Sequence, residues 1–176
     1  MVIIIDPQIA GISGDILLSS LVNLGANKNK IIEGIEKSQK FLSDSTIKKM
    51  DFQKIQKQGI ESTELILEID ENVSKRKGIE IKKAISNSVN ELNLTTKAKT
   101  FAELCISTLI SSESKIHGIS EDSVHFHEAS SIDTLVDIVG TAIALDDLRL
   151  FEEKIVCLPV SVGGGTVSFS HGTMSN

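Results

Sequence analysis

Residues 124–128 read Val-His-Phe-His-Glu and hold two of the four histidines in the chain. Imidazole nitrogen suits nickel, copper and zinc, whereas carboxylate oxygen suits harder divalent ions such as manganese and magnesium. His125 and His127 are separated by Phe126, so on an extended segment both imidazoles project to one side. Glu128 follows at once, and Ile132–Leu145 is an apolar run broken by only two charges, Asp133 and Asp137. On a helical wheel the apolar side chains cover most of the circumference, while Asp133, Asp137, Gly140, Thr141 and Ala144 share one narrow sector. Such a helix is buried, and its carboxylates lie on a stripe of small residues that something can approach closely. Like charges at i and i+4 repel unless a cation or a donor sits between them. His125, His127, Glu128, Asp133 and Asp137 therefore form a candidate metal site, which His117 and His171 could complete. Of these, His125, His127, Glu128 and Asp137 are also the candidates for catalytic work.

Bland explanations compete with that reading. Asp133 falls in the first helical turn, where an acid favours the helix dipole; Asp137, one turn further in, has no such excuse. His125 and His127 could be partly buried histidines at a strand end. His117 precedes Gly118 in the last turn of a helix, where a basic side chain complements the dipole.

A second group of residues sits near the start. Val2–Ile5 is a β-branched run ended by Asp6-Pro7, which reads as a buried strand and a turn. Gly11-Ile12-Ser13-Gly14-Asp15 then leads into a helix from about Gly14 to Leu24, with Ser13 as its cap and Gly25 as its stop. A glycine-rich turn between strand and helix exposes N–H groups to which anions bind. Gly11, Ser13, Gly14 and Asp15 are accordingly candidates for substrate binding, and Asp6 and Asp15 for holding a cation. The spacing is neither that of a P-loop nor that of a dinucleotide fingerprint, and a plain tight turn accounts for it equally.

The elements that must position these groups follow from periodicity. Lys28–Phe41 predicts an amphipathic helix. Ile47–Lys57 and Ile60–Asp70 predict a hairpin through Gln58-Gly59. Ser74–Gly78 reads as a loop, and Ile79–Leu92 and Thr95–Ile116 as helices, the second packing through Phe101, Leu104, Cys105, Thr108 and Leu109. Beyond the buried helix, Glu153–Gly163 and Thr166–Ser170 predict two strands joined by a triple-glycine turn. The expected class is α+β, or mixed α/β: one sheet of about five strands with helices packed on it, in a single domain over residues 1–176.

With 176 residues the chain can bury a sizeable core. A net charge of −6, no long basic stripe, no Trp and no Tyr argue against nucleic acid as a partner. Two distant cysteines, Cys105 and Cys157, predict buried reduced thiols, and no apolar run suits a signal or membrane segment, so the expected location is cytoplasmic and off the membrane.

Four blocks in this order and spacing resemble the N-terminal half of the LarC family of nickel insertion proteins. They are Gly11–Asp15 with Leu24-Gly25, His117-Gly118, Val124–Glu128 running into Asp137-Ile138-Val139-Gly140, and Leu158-Pro159 through to His171-Gly172. The resemblance implies insertion of nickel into pyridinium-3,5-bisthiocarboxylic acid mononucleotide, a cyclometallation that uses CTP and is assisted by manganese or magnesium, to make the nickel-pincer nucleotide cofactor. It implies that the CTP-binding C-terminal domain is absent here and that a C-terminal-half chain is a candidate partner; the apolar helix and the hydrophobic edge strands point to a homo-oligomer. Departures are Asp6–Ala10, where the family has an acid–Cys–Phe-like stretch, and Ala129-Ser130-Ser131, where it has Val-Gly-Ala. The residues alone leave two other readings open: a divalent-metal-dependent hydrolase of a phosphorylated small molecule, and a non-catalytic metal-binding or oligomerisation domain.

Overall fold

The structure, a computed structural model, describes residues 2–9, 11–73, 75–126, 132–169 and 172–175. The elements are β1 (Val2–Ile5), α1 (Gly14–Leu24), α2 (Lys28–Ser38), β2 (Ser45–Lys57), β3 (Ile60–Glu71), β4 (Arg76–Lys77), α3 (Gly78–Glu91), α4 (Thr96–His117), β5 (His125–Phe126), α5 (Ile132–Asp147), β6 (Lys154–Cys157), β7 (Thr166–Phe169) and β8 (Gly172–Ser175).

Helix α5 is the centre. It packs against α1, α2, α3 and α4. Ile132, Leu135, Val136, Val139, Ala142 and Ala144 are all fully buried. Burying each of the larger side chains contributes about 1.5–3 kcal/mol, so the apolar circumference read from the sequence is what gathers the other helices. Small residues set how close they come. A Cβ on Gly140 would stand 2.9 Å from a Leu18 methyl of α1, and one on Gly34 of α2 would stand 2.6 Å from the Ile143 Cδ1. The stripe of small residues on α5 is thus met at Gly140 by the protein's own first helix.

The α+β class holds, but the expected single sheet of about five strands does not form. Among the described residues the strands pair two by two: β1 with β6 in parallel, and β2 with β3, β4 with β5 and β7 with β8 antiparallel. The long hairpin explains why. Gln58 and Gly59 both take positive φ, as a two-residue hairpin turn requires. Its outer face carries Lys48–Asp70, Lys49–Glu68 and Lys57–Glu64 ion pairs, while Lys54, on the side of Phe52, reaches Glu61 and Asn23 of α1; charged edge strands of this kind oppose the addition of further strands. Its inner face instead lays Phe52, Leu65, Leu67 and Ile69 against the helical core.

Several local expectations are corrected. The loop at Ser74–Gly78 contains β4, and Gly172–Ser175 adds a strand beyond the expected turn. The predicted Glu153–Gly163 strand is confined to Lys154–Cys157. Helix α4 buries Ala98, Ala102, Ile106 and Ile110, while Leu104 is exposed: the small alanines allow α3 and α5 to approach, and the longer side chains flank the contact. Strand β1 is not buried, since Val2 and Ile4 are exposed. Cys157 is exposed and Cys105 half-buried, both free. No helix among the described residues is long and apolar enough to cross a membrane.

The glycine contact at the centre can be tested by filling it. Gly140→Val should lower stability by about 1–3 kcal/mol through overpacking against Leu18, measured as a reduced urea midpoint with unchanged slope. An unchanged midpoint would mean that α1 moves aside freely.

Candidate functional site

The acidic residues meet where α1 begins. Ser13 is extended and occupies the N-cap position, and Gly25, with φ of 120°, closes the far end of α1. The first helical hydrogen bond is Leu17 N–H to Ser13 O at 3.0 Å, which leaves the preceding N–H groups without helical acceptors. The Ser13 hydroxyl does not cap them; it donates to the Asp15 carboxylate. Upstream, the Pro7 carbonyl accepts from Gly11 N–H at 3.0 Å and from Ser161 N–H at 3.4 Å. This clasp joins the loop after β1 to the loop after β6. A Cβ on Gly11, whose φ is +73°, would press on the Ser161 carbonyl at 3.2 Å, so the glycine serves both the turn and the close approach.

Asp137 lies against this turn. A Cβ on Gly14 would fall 2.2 Å from the Asp137 carboxyl, so only glycine lets the side chain fit there. Burial, and then the charges of Asp133 and Asp15, push the Asp137 carboxyl up to about 6. Asp133 is exposed at the solvent end of the same stripe. The structure therefore brings together Gly14, Asp15, Asp133 and Asp137, from two ends of the sequence, and places Gly11 and Ser13 beside them. Asp15 also reaches the rim of an open cleft of about 500 Å³ between α1 and the hairpin, lined by Ser19, Asn23, Ile55, Thr63 and Leu65 among others.

His125 occupies a different platform. Strand β5 pairs with β4, setting His125 opposite Lys77 and Phe126 opposite Arg76. Arg76 is buried and holds Glu71 at 2.5 Å and the Ser45 hydroxyl at 2.5 Å, which fixes the base of the hairpin to the strand that carries His125. The exposed imidazole makes a 2.8 Å Nδ1 contact with the Ser123 carbonyl. A carbonyl only accepts, so Nδ1 carries the proton and the Nε2 lone pair faces outward, the form in which a histidine binds metal. His117 ends α4, with Nε2 3.3 Å from Glu113 and the left-handed Gly118 behind it, which is the helix-terminal arrangement. His127, Glu128 and His171 lie outside the described residues. Among the described residues, no three His, Cys, Asp or Glu side chains are placed to hold one metal ion.

A family model described as nickel insertion protein matches residues 3–176. The chain belongs to the nickel insertion protein family. A Staphylococcus saprophyticus relative named pyridinium-3,5-bisthiocarboxylic acid mononucleotide nickel insertion protein is 36% identical over 164 residues, covering 93% of this chain and 39% of the relative. A putative nickel insertion protein of Methanothermobacter thermautotrophicus is 30% identical, covering 98% of this chain and 41% of its own length. One from Methanopyrus kandleri is 34% identical, covering 99% and 41%. The chain thus spans about two fifths of the length of these curated relatives. No solved structure matches it. Within this chain, sequence reasoning missed the Pro7–Ser161 clasp and the β4 strand opposite His125. Neither has a periodic signal, since one is a backbone contact and the other is two residues long.

The raised pKa of Asp137 fixes a sign. The folded state holds this proton more tightly than the unfolded chain does, so the group's contribution is fully present below its ordinary 3.8 and is lost as pH rises toward about 6. Asp137→Asn, which mimics the neutral acid, should therefore melt above the parent at pH 8 and alongside it near pH 4 in paired thermal scans. A higher parent melting temperature at pH 8 would show that the charge is compensated.

Proposed function

We propose that this chain handles nickel for insertion into a pyridinium mononucleotide, as the names of its relatives describe for them. The observation that carries the reading is the family match over residues 3–176. The outward Nε2 of His125 and the uncompensated carboxylates around Gly14 support it.

In this reading nickel is the cargo, and delivery requires ligands that bind and release. His125, presented on an exposed two-residue strand, offers a single imidazole lone pair, with His127 and Glu128 next in sequence and His171 and His117 as further candidates. Asp15, Asp133 and Asp137 supply hard oxygen donors at the mouth of the glycine turn, a donor set that fits manganese or magnesium. Burial first, and then the charges of Asp133 and Asp15, raise the proton affinity of Asp137, and such an ion would relieve the second of these. Because no three described side chains converge, an ion there would take its remaining ligands from water or from the substrate. When bound it would supply charge neutralisation beside an anionic group. The free N–H groups at the start of α1, with Gly11, Ser13 and Gly14, would orient a phosphate, and Asp15 would tolerate that anion through the bridging cation. Metallating a ring carbon also releases a proton, for which His125, His127, Glu128 and Asp137 are the acceptors within this chain. The CTP dependence, the homo-oligomer, the C-terminal-half partner and the cytoplasmic setting belong to the same proposal.

The test is nickel titration of the purified chain by calorimetry. The His125→Ala, His127→Ala double variant should lose at least tenfold in nickel affinity while keeping its circular dichroism spectrum. Equal affinity in the double variant would remove the histidine pair from the site. Independently, Asp133→Asn with Asp137→Asn should weaken manganese binding and leave nickel binding intact; loss of both together would merge the two sites into one.

A further inference from the structure

The β1–β6 pair is an unfinished sheet. Val2 pairs with Lys154 and Ile5 with Cys157, in parallel register over four residues, and among the described residues neither strand has a second neighbour. Parallel sheets occur with both faces covered and rarely as isolated pairs. Here one side is covered, because Ile3 packs on the core. The alternate positions are not: Val2 is 57% and Ile4 65% exposed. Exposed apolar side chains beside free strand edges mark a contact site.

We infer that this face docks a partner equivalent to the part of its relatives that this chain does not match, which adds strands to β1–β6 and covers Val2 and Ile4. Two observations select that occupant. The matched region accounts for only 38–41% of several relatives' lengths, so a partner of larger size than this chain exists in the same polypeptide in those proteins. And a parallel pair is extended through crossover connections of its own chain, whereas a two-fold-related copy sets identical edge strands antiparallel. The face adjoins the loop clasp at Pro7 and Ser161, which holds the Gly11–Asp15 turn. The docked part is thereby set next to the candidate substrate seat. This inference does not rest on the nickel assignment.

Cys157 on β6 is exposed and, although in register with Ile5 on the alternate side from Ile4, reports on strands added along β6. Cys105 is half-buried, its thiol pushed up by burial, and is replaced by Ser to leave a single reactive thiol. The Cys105→Ser chain is labelled with a maleimide alone, and after co-expression with the unmatched remainder of the Staphylococcus saprophyticus relative as a separate chain. Alone, labelling should be fast and independent of protein concentration. With the remainder present, the two chains should co-elute and labelling should slow at least tenfold. Ile4→Asp, at an exposed position, should leave the melting temperature of the chain alone unchanged and abolish both co-elution and protection. Equal labelling with and without the remainder would overturn the inference. So would protection that appears in the chain alone as its concentration rises, which assigns the face to a second copy.

Discussion

Two glycines govern how α1 meets α5. Gly140 admits Leu18 and Gly14 admits the Asp137 carboxyl, and the remaining helices are arranged around that contact. A side chain at either position would press on Asp137 or Leu18 and force the two helices apart. The apolar part of the contact supplies the stability, and the polar end uses some of it. Asp137 sits half-buried against a helix start with two other carboxylates near it, an arrangement that no local preference would choose. Strained electrostatics of this kind persist where the surrounding core over-determines the geometry, and they concentrate at functional sites.

The structure divides the candidate residues into two groups with separate supports. The acidic group belongs to the helical core and inherits its rigidity. The histidine group begins on β5, a two-residue strand held through Arg76, Glu71 and Ser45 to the base of the hairpin. Soft nitrogen donors and hard oxygen donors thus rest on different supports, although the hairpin touches both, through Arg76 on one side and through α1 on the other.

Much of the helical scaffold was legible from sequence. The start and stop of α1 at Gly14 and Gly25, the Gln58-Gly59 turn and the burial of α5 all follow from local rules, because each depends on a residue's own conformation or on one element's periodicity. The pairing of strands was not legible. Whether Ile4 is covered depends on what lies over β1, and the run Val2–Ile5 reads the same in either case. The juxtaposition of Asp15, Asp133 and Asp137 was half legible: their types and turn positions marked them as odd, but only the close approach at Gly14 joins the first helix to the fifth. His125 was found by its spacing, yet its tautomer comes from the Ser123 carbonyl, a backbone group without a side-chain signature.

One feature of the topology also constrains how the chain is made. In β1–β6, residue 2 pairs with residue 154, so this sheet closes almost the longest loop the described chain contains. Helices α1 to α4 and the hairpin can form from short-range contacts as they leave the ribosome, whereas β1 must wait until β6, about 150 residues later, has been made. Throughout that interval the isoleucine-rich β1 has no strand partner. Its brevity, four residues ended by Asp6-Pro7, limits what it can stick to while it waits.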